Sequence, residues 1–211
     1  MIRAYVGLQG SGKTLSMVRD ATYIMDKKLR VVSNVPFHTK KFSAIHLEGK
    51  AFFEDLLHPQ AINTLYVIDE GGVVFGKYSW KEISTGVQHH IIMHRKFGQH
   101  IFFGTPSYQD VAVQLRTYVA QAVACKKVKF PLISFTNIFY NPVYFEFKKQ
   151  DLTPALERQY VIKRRFISTT EAHRLYKLYD TKYIVDATFL SKIKKQQVPA
   201  GANERIIGRY L

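Results

Sequence analysis

The chain has 211 residues, a formal charge of +15 and one cysteine, Cys125. One cysteine cannot build an internal disulfide framework, which excludes disulfide-stapled secreted domains and fits a reducing compartment. No apolar run approaches the roughly 20 residues of a membrane-spanning helix, and the N-terminus does not have the pattern of a signal peptide. We therefore expect a soluble α/β domain, and any membrane anchor would lie beyond Leu211.

The positive charge is concentrated in the C-terminal part of the chain. Residues 126–211 carry 17 Lys and Arg against 7 Asp and Glu, whereas residues 1–125 carry 14 against 9. Such a surplus exceeds what solubility requires and indicates a polyanionic partner, either nucleic acid or an anionic membrane surface. We divide the chain into a core, residues 1–125, and a basic extension, residues 126–211, packed on that core as one overall domain.

The first predicted elements are an apolar strand over 2–6, a glycine-rich loop and a helix over about 14–26. The loop, GLQGSGKT at 7–14, matches the pattern G-x-x-x-x-G-K-[ST] that binds nucleoside triphosphates. Its glycines let backbone N–H groups turn toward phosphate oxygens, and the helix adds its positive N-terminal end. Lys13 is expected to bridge the terminal phosphates and Thr14 to offer its hydroxyl to Mg²⁺. The predicted nucleotide-binding residues are Gly7, Gly10, Ser11, Gly12, Lys13, Thr14 and Leu15.

Further strands and helices alternate up to residue 125. The apolar patterns predict strands over 29–36, 64–68, 101–105 and 119–125, and helices over 51–57, 83–96 and 108–119. This alternation predicts an α/β fold with a mainly parallel sheet and helices on both faces.

The pattern changes after Lys126. Alternation over 143–148, behind an Asn-Pro turn, predicts an antiparallel strand, and 169–179 predicts a helix. A small β-hairpin and helix are therefore expected in the basic extension. The last thirty residues are basic with little apolar periodicity, and we expect a loosely held tail.

An acidic pair follows the predicted strand over 64–68. Asp69 suits the carboxylate that a phosphate-bound Mg²⁺ requires at a strand terminus. Glu70 would point differently and polarise a water molecule for attack on the terminal phosphate. Acidic residues at a strand end are common. The pair indicates a nucleotide site only because a phosphate loop precedes it in the chain.

Two later residues suit phosphate chemistry. Thr105, at a strand end, is placed to sense the γ-phosphate. Arg116 would supply positive charge to a transition state, including across a subunit boundary as an arginine finger. The alternative for Arg116 is an ordinary solvated helix residue.

Other chemistry-bearing side chains have simpler interpretations. Cys125 lies in an apolar run and is expected to be a buried thiol. Trp80 is interpreted as packed locally, with base stacking as the alternative. Four histidines have no cysteine or carboxylate at ligand spacing and are interpreted as surface or loop residues instead of metal ligands. These are His89, His90, His94 and His100.

The order of the motifs GLQGSGKT, VVSNVPF, LYVIDEGG and HRKFGQHIFFGT, with an arginine eleven residues beyond Thr105, resembles the zonula-occludens-toxin-like (Zot) ATPases. These are filamentous-phage morphogenesis proteins of the FtsK–HerA superfamily of DNA-pumping P-loop NTPases. The matched motifs cover about residues 1–116, with weaker similarity at 178–181. The resemblance matches Lys13 and Thr14 to the nucleotide site, Asp69 and Glu70 to the metal and water-activating carboxylates, and Arg116 to the arginine after the sensor strand.

This resemblance implies a RecA-like core whose sensor strand lies between the phosphate-loop strand and the Asp-Glu strand. It also implies an ATPase that uses ATP and Mg²⁺, assembles as a homo-oligomeric ring such as a hexamer, and acts on viral, single-stranded DNA. Coat or assembly proteins are implied partners. The implied location is the host cytoplasm or the cytoplasmic face of the inner membrane, with any membrane segment outside this chain.

One residue departs from the family pattern. The family usually has Gln directly after the sensor Thr, and this chain has Pro106. Coupling between nucleotide state and DNA movement is therefore expected to run through Thr105, Ser107 or Gln109.

Three functions remain open from the sequence. The first is an ATP-driven motor for DNA extrusion, packaging or virion assembly. The second is a nucleotide-switched assembly scaffold at the membrane, and the third is a nucleotide kinase. Glu70 beside Asp69 favours hydrolysis over transfer to a second nucleotide.

Overall fold

The fold is built on one large β-sheet. The structure, a computed structural model, describes residues 1–25, 29–39, 43–58, 61–129, 133–147 and 151–179. The strands in these ranges are β1 (Ile2–Val6), β2 (Arg30–Ser33), β3 (Ile45–His46), β4 (Thr64–Ile68), β5 (His100–Thr105), β6 (Val119–Val128), β7 (Ser134–Tyr140) and β8 (Val161–Ile167). The α-helices are α1 (Lys13–Met25), α2 (Gly49–Leu57), α3 (Gly71–Val74), α4 (Ser79–Glu82), α5 (Thr85–Ile92), α6 (Val113–Arg116), α7 (Pro154–Tyr160) and α8 (Thr169–Tyr176).

The strand order is β3-β2-β4-β5-β1-β6-β7-β8. The first six strands in this order are mutually parallel. The last two, β7 and β8, continue the sheet as antiparallel strands. The expected α/β fold with a mainly parallel sheet is confirmed. The strand that ends at Thr105 lies between the phosphate-loop strand and the Asp-Glu strand, as the resemblance implied.

Both faces of the sheet are covered. Along β4, Tyr66 and Ile68 join a hydrophobic cluster with residues of α2, α3, α4 and α5. The alternate residues, Leu65 and Val67, join a second cluster with α1. A strand that is buried on both sides needs apolar residues at every position, which explains the continuous apolar run at 64–68.

The basic extension is fastened to α1. Phe135 of β7 packs with Leu15 of α1 and Leu175 of α8 in a third cluster. Arg165 of β8 forms an ion pair with Asp20 on α1, and Arg19 does so with Glu171 on α8. The extension therefore supports the first helix of the core.

The predicted strand over 143–148 is wrong. Residues Pro142–Glu146 form a 3₁₀ helix, because the Asn141 side chain accepts a hydrogen bond from the Val143 N–H (3.1 Å) and the proline starts the turn. Tyr144 stacks on Tyr140, with 4.4 Å between ring centroids, so the aromatic alternation serves local packing. The antiparallel strands of the extension are β7 and β8 instead.

The predicted helix over 108–119 is also wrong in its extent. It is divided into a 3₁₀ helix, Tyr108–Asp110, and α6. Between them Val111 forms an isolated bridge with Gly76, and the Ala112 N–H donates to the Phe75 carbonyl (2.9 Å). These tertiary backbone hydrogen bonds replace the helical ones.

Two of the four histidines are buried. The interpretation as surface or loop residues is wrong for His90, which lies in α5, whereas His94 is a buried residue of the turn that follows α5. His90 is stacked on Phe97 with 4.2 Å between ring centroids, and its Nε2 lies 3.0 Å from Gln99 Nε2. His94 Nδ1 lies 2.9 Å from the Ile91 carbonyl oxygen. Burial lowers the pKa of each imidazole to about 4.

Trp80 and Cys125 match their simpler interpretations. Trp80 is buried and packs edge-on against Phe75. Cys125 is a buried free thiol, and burial raises its pKa to about 12. Among the described helices, none has the length and apolar content that crossing a bilayer requires. The predicted tail over the last thirty residues lies outside the described residues.

We expect the free energy of unfolding to fall as pH is lowered from about 6.5 to about 4. In this window the folded protein keeps His90 and His94 neutral, whereas the unfolded chain takes up protons at the ordinary histidine pKa of 6.5. Each histidine contributes up to about 1.4 kcal/mol per pH unit to the slope of the free energy of unfolding against pH. Urea unfolding across this pH range measures the slope.

The control for this prediction is a pair of substitutions on the same helix. His90→Gln should reduce the slope, whereas His89→Gln, at an exposed position, should leave it unchanged. Equal slopes in His90→Gln and the parent protein would contradict the prediction.

Candidate nucleotide-binding site

The phosphate loop, residues 7–14, joins the end of β1 to the start of α1. Gly10 and Gly12 have φ values of +73° and +88°, which favour glycine. A Cβ at Gly12 would also lie 2.5 Å from a ring carbon of Phe135. The loop can therefore adopt this shape only with glycine at position 12, and β7 closes the space beneath it.

The Lys13 ammonium group is held over the loop. Its Nζ donates to the carbonyl oxygens of Gly7 (2.9 Å) and Leu8 (3.3 Å). Within the described ranges no carboxylate lies at ion-pair distance from it. At hydrogen-bond distance the positive charge is therefore met by carbonyl dipoles alone among the described residues, which suits the binding of an anionic group.

Asp69 connects β4 to the phosphate loop. The Thr14 hydroxyl donates a hydrogen bond to Asp69 Oδ2 at 2.6 Å. The buried Asn34 side chain fixes the backbone of Asp69 from the other side, donating to its carbonyl (3.0 Å) and accepting from its N–H (2.8 Å). Asp69 is thus held by contacts on both its backbone and its side chain.

Glu70 has a left-handed backbone conformation, with φ of 52° and ψ of 32°. Its N–H donates to Asp69 Oδ1 (3.0 Å). Partial burial and the negative charge of Asp69 raise the pKa of Glu70, against the opposing effect of Lys13. A raised pKa makes this carboxylate a better proton acceptor.

The glycines after Glu70 are required by close packing. A Cβ at Gly71 would lie 2.6 Å from Phe103 Cβ, and one at Gly72 would lie 2.5 Å from Thr105 Oγ1. The sequence DEGG therefore allows α3 to lie directly against β5.

These groups surround a cavity of about 290 Å³. It brings together most of the predicted site residues with four that the sequence analysis did not include. The lining is formed by Gln9, Gly10, Gly12, Lys13, Thr14, Leu15, Val35, Asp69, Glu70, Tyr176 and Tyr179. The predicted residues Gly7, Ser11, Thr105 and Arg116 do not line it.

A divalent cation has a suitable place beside Thr14 and Asp69. The described part of the chain contains no group of three or more His, Cys, Asp or Glu side chains able to hold a metal. A cation here would therefore need phosphate oxygens to complete its coordination, as Mg²⁺ commonly does. One hydroxyl and one carboxylate, 2.6 Å apart, fit that arrangement.

Thr105 and Arg116 occupy different surroundings. Thr105 is fully buried, its hydroxyl donates to the Ser107 carbonyl (2.8 Å), and its own carbonyl accepts from the Gly7 N–H. Arg116 Nη1 donates to Glu146 (2.7 Å) and to Gln109 (2.9 Å). A transition-state role for Arg116 within its own subunit has no support in this geometry, and a role across a subunit boundary stays a prediction.

Sequence reasoning missed Asn34, which supports Asp69, and four residues of the cavity lining. The four are Gln9, Val35, Tyr176 and Tyr179. Asn34 lies in the segment VVSNVPF, which was recognised only as a strand and part of the family resemblance. Tyr176 ends α8 in the basic extension, and Tyr179, three residues later, forms a backbone bridge with Phe37. The segments that hold Asn34 and Tyr179 belong to the family resemblance, but only long-range contacts reveal the roles of these residues.

The sequence model of the family described as Zonular occludens toxin (Zot) matches residues 1–177. The chain belongs to this family. A search of curated proteins gave no match to this chain.

Solved structures share the fold. The N-terminal domain of zonular occludens toxin from Neisseria meningitidis has a TM-score of 0.58 and 19% identity, over 85% of this chain and 98% of that one. The genome packaging NTPase B204 from Sulfolobus turreted icosahedral virus 2, in complex with ATP-gammaS, has a TM-score of 0.52 and 11% identity, over 79% and 96%. The complex of B204 with AMPPCP has a TM-score of 0.51 and 12% identity, over 79% of this chain and 96% of that one. The chain therefore has the fold of a P-loop NTPase.

We expect Asn34→Ala to raise the Mg²⁺ concentration needed for half-maximal ATP binding by about tenfold. The substitution leaves both backbone groups of Asp69 without their partner, and mutation of such supporting contacts typically costs 10- to 100-fold in metal affinity. Titrating Mg²⁺ into the protein with a fluorescent ATP analogue measures the shift.

Ser33→Ala is the matched control, because buried Ser33 accepts from the Val35 N–H and does not contact Asp69. Both variants should lose stability, by about 1–3 kcal/mol. A Mg²⁺ requirement that rises equally in both would show that Asn34 acts only through stability.

Proposed function

We propose that this protein is an ATP-hydrolysing motor that drives viral DNA extrusion or packaging and virion assembly. The observation that carries the proposal is the Thr14–Asp69 hydrogen bond beside Lys13 and Glu70 in one cavity. Family membership supports a phage-assembly role, and the fold shared with a genome packaging NTPase supports work on DNA.

Lys13 and the amides of the phosphate loop bind the triphosphate. Phosphate oxygens replace the carbonyls of Gly7 and Leu8 as partners of the Lys13 ammonium, and the N-terminal end of α1 adds its positive dipole. The ammonium then compensates the charge that develops on the terminal phosphates. Thr14 and Asp69 would hold Mg²⁺, which supplies further charge compensation when bound.

Glu70 acts on water. Its carboxylate accepts a proton from a water molecule while the water oxygen forms a bond to the γ-phosphorus. The bond between that phosphorus and the bridging oxygen breaks, and ADP leaves with inorganic phosphate. The raised pKa of Glu70 assists this proton transfer.

A chain of hydrogen bonds connects the phosphate loop to Arg116. Thr105 donates to the Ser107 carbonyl, the Gln109 N–H donates to the Ser107 hydroxyl, and Arg116 donates to Gln109. These are the residues expected to replace the missing sensor Gln at Pro106. We propose that they couple nucleotide state to Arg116, which acts on the nucleotide of the next subunit in a ring.

The remaining assignments follow from this function. Single-stranded viral DNA is the proposed cargo, and coat or assembly proteins are proposed partners. The proposed place of action is the host cytoplasm or the cytoplasmic face of its inner membrane.

We expect Lys13→Ala to abolish ATP hydrolysis because it removes the cation that holds the terminal phosphates. Glu70→Gln should keep ATP binding and lose turnover by about 100-fold or more, as removal of a general base does. Hydrolysis rates measured with and without single-stranded DNA test both variants. Lys81→Ala, an exposed lysine outside the cavity, is the control and should behave as the parent protein.

The outcomes separate the proposed functions. Full activity in Lys13→Ala would exclude the assigned site. Slow hydrolysis that DNA does not stimulate, in a protein that binds coat protein, would favour the nucleotide-switched scaffold. Labelled nucleoside diphosphate formed from added monophosphates would favour a kinase.

We expect Tyr179→Ala to weaken ATP binding by about two- to tenfold, because an aromatic contact contributes about 0.5–1.5 kcal/mol. Tyr179→Phe keeps the ring and should bind within about twofold of the parent protein. Equilibrium titration with a fluorescent ATP analogue measures both. Unchanged affinity in Tyr179→Ala would mean that the ring closes the cavity without touching the nucleotide.

A further inference from the structure

A second cavity lies on the same face of the sheet as α1, at the amino ends of β1 and β5. Its volume is about 490 Å³, and it shares no residue with the nucleotide cavity. We call it the basic hollow. It is lined by Met1, Arg3, Arg19, Asp20, Tyr23, Ile24, Leu29, His100, Lys163 and Arg165.

Cations outnumber carboxylates in the basic hollow. Asp20 is the one carboxylate in its lining, and it pairs with Arg3 (2.8 Å) and Arg165. Arg19 pairs with Glu171, whereas no carboxylate of the described residues pairs with Lys163. Two formal positive charges are therefore in excess among these groups.

The positive groups converge on one ring instead of spreading over the surface. The guanidinium carbons of Arg3 and Arg165 lie 5.5 and 4.7 Å from the centroid of Phe139, and Lys163 Nζ lies 4.5 Å from it. Like charges this close raise the local positive potential. In agreement, Arg3 and the Met1 amino group add to burial in lowering the pKa of His100.

One donor in the hollow has no partner. Both terminal nitrogens of Arg165 are bonded to Asp20, but its Nε is buried without a hydrogen-bond partner within the described part of the chain. An unsatisfied charged donor is costly unless an acceptor joins it. Since no acceptor compensates this donor, it adds to the positive potential beside the hollow.

An aromatic ring lies at the edge of the hollow. Tyr23 is 60% exposed, and the Arg19 guanidinium lies 5.1 Å from its ring centroid. Exposed aromatic rings beside basic grooves bind single-stranded nucleic acid, because any base can stack on them. Duplex DNA does not offer unstacked bases for such a contact.

We propose that the basic hollow binds single-stranded nucleic acid, with a backbone phosphate among Arg3, Lys163 and Arg165 and a neighbouring base on Tyr23. This inference rests on the proposed DNA partner and assigns a place for it. It puts the strand at the amino-end edge of the sheet, away from the nucleotide cavity.

Two neighbouring cations of β8 provide a matched test. Lys163 faces the hollow, and Arg164 does not line it and is 62% exposed. Lys163→Glu should weaken binding of a fluorescein-labelled oligothymidine by about tenfold. It should also reduce the slope of log affinity against log salt concentration by about one to two, which corresponds to the loss of one or two phosphate contacts. Arg164→Glu makes the same charge change and should cost less than about twofold.

Tyr23→Ala is an independent variant on α1 and should weaken binding by about five- to tenfold through the lost stacking. ATP hydrolysis without DNA should be unchanged in both Lys163→Glu and Tyr23→Ala, since neither residue lines the nucleotide cavity. Fluorescence anisotropy at several salt concentrations measures the affinities, and thermal unfolding confirms that each variant is folded.

The failures are distinguishable. A parent protein that hydrolyses ATP but binds no oligothymidine would overturn the hollow and the DNA cargo together. Equal losses in Lys163→Glu and Arg164→Glu would overturn the hollow alone and leave the motor intact. Loss of binding to phosphatidylglycerol vesicles in Lys163→Glu, with DNA affinity kept, would assign the hollow to a lipid headgroup and overturn the proposal.

Discussion

The hydrogen bond from Thr14 to Asp69 links the two motifs on which the candidate site depends. It joins the first turn of α1 to the residue after β4. In the sheet, β5 separates β4 from β1, the strand that leads into the phosphate loop. Asn34, the residue directly after β2, reinforces it by fixing the Asp69 backbone. The phosphate loop and the acidic pair thereby acquire fixed relative positions, and such pre-organisation limits the cost of binding.

The basic extension contributes to this site instead of merely adding charge. Phe135 closes the space under Gly12, and α8 places Tyr176 at the cavity while Tyr179 follows from the next turn. Ion pairs from Arg165 and Glu171 to α1 hold the two parts together. The division at residue 125 stays a prediction about domains, but the nucleotide cavity draws on both sides of it.

Local signals made part of this structure predictable. The phosphate loop, the apolar β4 and the Asp-Glu pair are contiguous in sequence, and each imposes its own backbone shape. Asn34, Phe135 and Tyr179 could not be found in this way, because their roles come from contacts between distant segments. The aromatic pattern at 143–148 predicted a strand, but an Asn-Pro cap and ring stacking produced a 3₁₀ helix. Arg116 had the expected spacing, and only the fold showed its pairing with Glu146.

Helix α1 has one end at each of the two cavities. Lys13 begins it at the nucleotide cavity, and Arg19 and Tyr23 lie further along at the basic hollow. Thirteen residues at about 1.5 Å per residue make a rod of about 20 Å. Because α1 packs against the sheet and is ion-paired to β8 and α8, it is a rigid connection between the two cavities. Under the two proposals, this one helix would connect the site that binds ATP to the site that binds the strand.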